Sequence, residues 1–175
     1  SKALGATELK PEETVHFSIG STFNLPSFVC QFSYFVIDVK DRIVISDNIT
    51  SDPEIFGDDI PEILDLHNSS GARFITNAID TLTRGYDLSL QYQFRLNRSA
   101  SMRIFLEHHH NRTKLNGEIR LPSVFENAEN PLIGANEIYR ITEMQPKDVT
   151  HLGFKFLSPR ITAQLRLLRY GPHYG

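Results

Sequence analysis

The stretch YDLSLQYQFRL at 86–96 constrains the fold more than any other part of the chain. Tyr86, Leu88, Leu90, Tyr92, Phe94 and Leu96 alternate without a break with Asp87, Ser89, Gln91, Gln93 and Arg95. Successive side chains of a strand point to opposite faces, so this spacing predicts a β-strand with one apolar face and one polar face. The apolar face is expected to be buried.

Other segments read the same way. VHFSI at 15–19 alternates, and FVCQFSYFVIDV at 28–39 is dense in aromatic and β-branched residues, which favour strands. RIVI at 42–45 continues after a turn at Lys40-Asp41. MRIFL at 102–106 follows 86–96 across a short polar turn, as a hairpin requires. GEIRL at 117–121, EIYRI at 137–141 and HLGFKFL at 151–157 complete the expected strands, and 46–62 reads as a loop with one helical turn. Residues 1–14 read as a polar tail. Ser158-Pro159 suits a helix start, Ile161, Leu165 and Leu168 stand at helical spacing, and Gly171-Pro172 is a stop. The expected architecture is therefore mainly β: a small antiparallel (split) barrel of six to eight strands. It forms a single domain over 15–175, with a C-terminal amphipathic helix at 159–170.

Composition narrows the function classes. The net charge of -3 gives no global basic field, so no DNA or RNA partner is expected. Cys30 is the one cysteine, so no intrachain disulfide forms, and its apolar neighbours suggest a core position. No apolar run approaches the roughly 18 residues of a spanning helix, so no membrane span is expected and the cytoplasm is the simpler compartment. Four Asn-X-Ser/Thr triplets, at Asn48, Asn68, Asn97 and Asn111, leave a glycosylated extracellular protein as an alternative.

Motifs for catalysis are missing. There is no Gly-X-Ser-X-Gly, no phosphate-binding glycine loop and no His-Glu-X-X-His, so no enzyme and no cofactor is expected. His108, His109 and His110 read as a solvated turn; on a strand, only His108 and His110 would share a face. The acidic loop at 46–62 lacks the ligand spacing of an EF-hand. Arg160, Arg166, Arg169 and Lys155 give the C-terminal part a basic face, read as solvated surface.

The segment ILDLHNSSGARF at 63–74 resembles the signature of the PilZ family, an apolar pair followed by Asp-X-Ser-X-X-Gly and often Arg. The order of pieces downstream is similar too. Arg84-Gly85 opens the alternating strand, a strand surrounds Gly117, and Leu-Gly-X-X-Phe-Leu at 152–157 precedes the last segment. The likeness covers roughly 40–170. It implies a cyclic di-GMP receptor or an adaptor descended from one. Asp65, Asn68, Ser69 and Gly71 would hold a guanine edge, although 65–71 is one residue longer than the family spacing. Lys40 and Arg42 stand where the family places an Arg-X-X-X-Arg phosphate clamp, and Arg73 belongs to the same candidate ligand set.

The resulting expectation is a non-enzymatic cytoplasmic signalling module that binds cyclic di-GMP. As a degenerate adaptor, it would instead contact a protein partner in motility, pilus function or polysaccharide secretion. The alternative is an extracellular or viral structural β protein without a nucleotide ligand. A PAS-type sensor, suggested by 34–48, fits less well because the second half reads as strands.

Overall fold

The computed structural model describes residues 8–52, 59–120 and 133–172, together with Ala6, Pro122 and Phe125. Six strands carry the chain: β1 (Glu13–Leu25), β2 (Phe28–Ile45), β3 (Ile75–Arg95), β4 (Ser101–Leu115), β5 (Asp148–Leu157) and β6 (Thr162–Tyr170). They form one sheet in the order β1-β2-β3-β4-β5-β6, so each strand pairs with its neighbours in sequence and the sheet is not closed. Among the described residues, two helices of eight residues each, α1 (Asp59–Leu66) and α2 (Ala135–Thr142), lie in the long connections. The mainly-β antiparallel architecture read from the sequence holds.

Several local expectations do not. The segment expected to be a terminal helix is β6, paired with β5 from Val149↔Tyr170 to Leu157↔Thr162. Its apolar residues satisfy helical spacing, but Ala163, Leu165 and Leu167 also satisfy period 2. The edge offered by β5 decides between the two. EIYRI at 137–141 lies in α2 instead of a strand, since Ile138 and Ile141, at helical spacing, pack on the core that holds Ile133. Residues 117–120 form no strand, although the Asn116 and Arg120 N–H groups donate to the Asp80 and Ala78 carbonyls at 2.9 and 2.8 Å. His108, His109 and His110 are strand residues of β4, not a turn.

The chain divides into two compact units. The first comprises Ser1–Val15, Asp38–Leu82 and Thr113–Thr142. All the buried apolar side chains among the described residues lie in it: Ile49, Ile60, Leu64, Phe74 and Phe125 in one cluster, Val44, Ala78, Ile79 and Ile133 in another. Antiparallel bonds of 2.9 Å in both directions tie Ile49 to Ala72. The expected polar tail is anchored here, since the Lys10 N–H donates to Asn77 Oδ1 and Asn77 Nδ2 returns a bond to the Lys10 carbonyl.

The second unit comprises His16–Ile37, Thr83–Arg112 and Glu143–Gly175. Its strands bury no large apolar side chain among the described residues; Gly85, Gly153 and Gly171 are what is buried. Two of these glycines permit close approach. A Cβ on Gly85 would stand 2.4 Å from the His110 carbonyl oxygen. A Cβ on Gly153 would collide with the Phe105 ring, which lies over its cross-strand partner. A side-chain ring can swing aside, whereas a carbonyl in a ladder cannot. Gly85→Ala is therefore expected to cost roughly 2–3 kcal/mol and Gly153→Ala clearly less, read from urea unfolding midpoints. In the first unit, Phe125→Ala removes a fully buried ring and is expected to cost about 3–5 kcal/mol.

Candidate functional site

The register of β4, β5 and β6 sorts the side chains of the second unit onto two faces. Met102, Ile104 and Leu106 pair with Phe156, Phe154 and Leu152, which pair in turn with Ala163, Leu165 and Leu167. Tyr86 stacks with Phe32 and with His110, so the apolar sides of β2 and β3 share this face. Phe17, Ile19, Phe23 and Leu25 repeat the period on β1 with exposures of 51–62%. Leu165 and Leu167 on β6 are 57% and 53% exposed.

Burying one such side chain is worth roughly 1.5–3 kcal/mol. For these six, half of that is forgone, on the order of 5–10 kcal/mol, which matches the whole stability of an ordinary soluble domain. No described residue of the second unit covers this face.

The opposite face carries most of the polar side chains, with Phe35, Phe105, Leu168 and Tyr170 among them. Asp87 accepts from Ser33 Oγ at 3.3 Å and makes a short contact with His109 Nδ1. With Nδ1 as donor, His109 Nε2 is left as the acceptor for the Asn111 amide at 2.9 Å, so a neutral imidazole satisfies both partners. The Phe35 ring lies nearly parallel to His109, centroids 6.0 Å apart. Next to this set, Glu107 faces His151 at 3.4 Å, and Gln93 accepts from Arg103 at 3.0 Å. Gln31, Asp87, Ser89, Glu107, His109 and His151 line an open groove of about 360 Å³. The groove offers donors, acceptors and carboxylates to a polar ligand. Among the described residues no cluster of three or more metal-binding side chains occurs. His108 and His110 share the other face, where His110 Nδ1 meets Asp148 at 2.8 Å and His108 Nδ1 meets Thr150 Oγ1 at 2.9 Å.

The ligand residues expected from the sequence lie in the first unit. The Leu64 carbonyl accepts from the Ser69 N–H at 3.0 Å, the Asp65 carbonyl accepts from the Asn68 N–H at 3.0 Å, and Asn68 has φ 49°. This crossed pair of bonds around a left-handed residue is a Schellman close of α1. Ser69 Oγ donates to the Gly71 carbonyl at 2.7 Å, and Gly71 lies against Asn48 and the Ile49 carbonyl beside the Ile49–Ala72 bridge. Arg42 donates to Thr81 Oγ1 at 3.1 Å, while Lys40 and Arg73 are exposed. The structure brings Asp65, Asn68, Ser69 and Gly71 together as a helix ending, and no contact joins them to Arg42. Sequence reasoning passed over Asp87, Glu107, His109 and His151. Asp87 and His151 lie on strands legible from alternation, whereas Glu107 and His109 lie past the strand expected at 102–106.

Strands of 9 to 21 residues, with a largely apolar face that no described residue of the second unit covers, are what the walls of membrane β-barrel proteins are built from. The family model described as TonB dependent receptor-like, beta-barrel matches residues 1–173, and the chain belongs to that family. No curated protein and no solved structure matches it. The family match overturns the PilZ resemblance and with it the cytoplasmic cyclic di-GMP module, because this is a family of outer-membrane receptors. The resemblance failed physically because its signature turn is a helix cap. No described helix is long and apolar enough to cross a membrane, a measure that does not bear on strands.

Two ion-pair sets hold the first unit. Arg120 Nη2 bridges Asp80 at 2.8 Å and Asp41 at 3.1 Å, and the Arg120 guanidinium holds the Asp80 carboxyl below its ordinary range. Glu137, buried at the start of α2, binds Arg140 through both oxygens at 2.6 and 2.8 Å. That bidentate bond lowers its pKa, with burial opposing. A depressed carboxylate stabilises the fold above its unfolded pKa, and the contribution fades as pH falls through the folded value. Glu137→Gln is accordingly expected to cost about 1–2 kcal/mol at neutral pH, with the gap to the parent closing in acid when urea midpoints are compared. A gap that stays constant with pH refutes the assignment.

Proposed function

We propose that the six strands contribute to the wall of an outer-membrane receptor barrel that takes up a polar ligand in a TonB-dependent manner. The observation that carries this reading is the uncovered apolar face of the second unit, backed by a face of hydrogen-bonding side chains. From Tyr86 to Phe94 the apolar run of β3 is about 27 Å long, close to what a tilted membrane strand requires. Tyr34 and Tyr86 fall toward one end, and Phe23, Phe28, Tyr92 and Phe94 toward the other, as the aromatic girdles of such walls do.

Connection lengths support the same orientation. β1–β2, β3–β4 and β5–β6 are joined by short turns, whereas β2–β3 and β4–β5 are joined by the long segments 46–74 and 116–147. Membrane barrels have short turns on the periplasmic side and long loops outside. In this reading the groove at Asp87, Glu107, His109 and His151 faces the lumen.

Cysteine accessibility in native outer membranes tests this. In a Cys30→Ser background, Ser89→Cys and Gln91→Cys are expected to react with a hydrophilic maleimide. Leu88→Cys and Leu90→Cys are expected to react only after solubilisation and unfolding. Equal labelling at all four positions, or the inverse pattern, sinks the proposal.

A further inference from the structure

The apolar face ends abruptly. One strand step before Tyr86 on the same side stands Arg84, and one step after His110 stands Arg112. The contacts Asp87–His109, Tyr86–His110 and Gln93–Arg103 fix how β3 lies against β4. Each step along one strand is answered by a step back along the other, so Arg84 falls directly opposite Arg112. Both are exposed. No hydrogen bond, ion pair or ring contact joins either guanidinium to another described residue. Asp148, the carboxylate that the strands of this unit place on the same face, is occupied by His110.

Two like charges directly opposite each other on a sheet repel and destabilise it unless an anion lies between them. Their position sets the source of that anion. A step of two residues is about 7 Å, so the pair stands just past the aromatic end of the apolar band, at the depth of lipid headgroups. Guanidinium groups bind phosphate oxygens through paired N–H donors, and Tyr86 and His110 supply the amphipathic flank that such a boundary favours.

We propose that Arg84 and Arg112 together bind the phosphate of a lipid headgroup. This rests on the reading of the apolar face as lipid-contacting. Basic side chains at a membrane surface attract anionic headgroups additively and within a Debye length, so the selectivity is salt-dependent.

The test uses the protein reconstituted in phosphatidylcholine bilayers with trace spin-labelled lipid, reading the motion-restricted fraction by electron paramagnetic resonance. Spin-labelled phosphatidic acid is expected to be enriched several-fold over spin-labelled phosphatidylcholine in that fraction. The double substitution Arg84→Gln with Arg112→Gln should abolish the enrichment, while Arg84→Lys with Arg112→Lys should keep part of it. Equal restriction of both lipids by the parent protein, or enrichment that survives the double glutamine substitution, overturns the proposal. A restricted phosphatidylcholine fraction reports the lipid-facing wall itself, so its presence without enrichment removes the headgroup site alone. Its absence removes the barrel reading and the site that rests on it.

Discussion

The hydrogen-bonded ladder between sequence neighbours is what the rest of this structure depends on. Each strand pairs with the next, so the interior strands satisfy their backbone donors and acceptors within the sheet and ask nothing of either face. A sheet whose backbone is satisfied in its own plane is free to place one face in an apolar medium and the other in a polar one. Side-chain alternation then assigns chemistry to each face, and the second unit shows the outcome: Leu88 and Leu90 on one side, Asp87, Ser89 and Gln91 on the other.

The two units show two ways of disposing of apolar surface. In the first, Ile49, Ile60, Leu64, Phe74 and Phe125 are shielded by one another and by α1, as in a water-soluble domain. Ion pairs such as Arg120 with Asp80 and Arg140 with Glu137 then fasten its connections. In the second, glycines at Gly85 and Gly153 let neighbouring groups come close, and the large side chains are left outward. That difference explains why long connections accompany the core and short turns accompany the uncovered strands.

Histidine chemistry follows the same division by parity. His109 turns to Asp87, Asn111 and the Phe35 ring on the polar side, while its neighbours turn to Thr150, Asp148 and Tyr86 on the other. Three adjacent residues thereby serve two environments. A reading that took them as a turn had no means to separate them. A reading that had extended the strand past Leu106 would have done so.

What the amino-acid order determined is the period: strands at 15–19, 28–39, 42–45, 86–96, 102–106 and 151–157 were legible, because alternation is a local property of the pleat. It also fixed which residues share a face, and so contained the grouping of Asp87 with Ser89 and Gln91. It left undetermined which face meets water, because alternation is symmetric under exchange of inside and outside. The sequence reading assumed a buried apolar face, and the tertiary structure shows that face uncovered. Pairing decided the rest. The β5 edge made 162–170 a strand where local spacing also allowed a helix, and packing on Ile133 and Ile79 made 135–142 a helix where alternation suggested a strand. The bonds that close α1 made Asp65 to Ser69 the end of a helix. Each of these turns on contacts with residues distant in the chain, which no local pattern encodes.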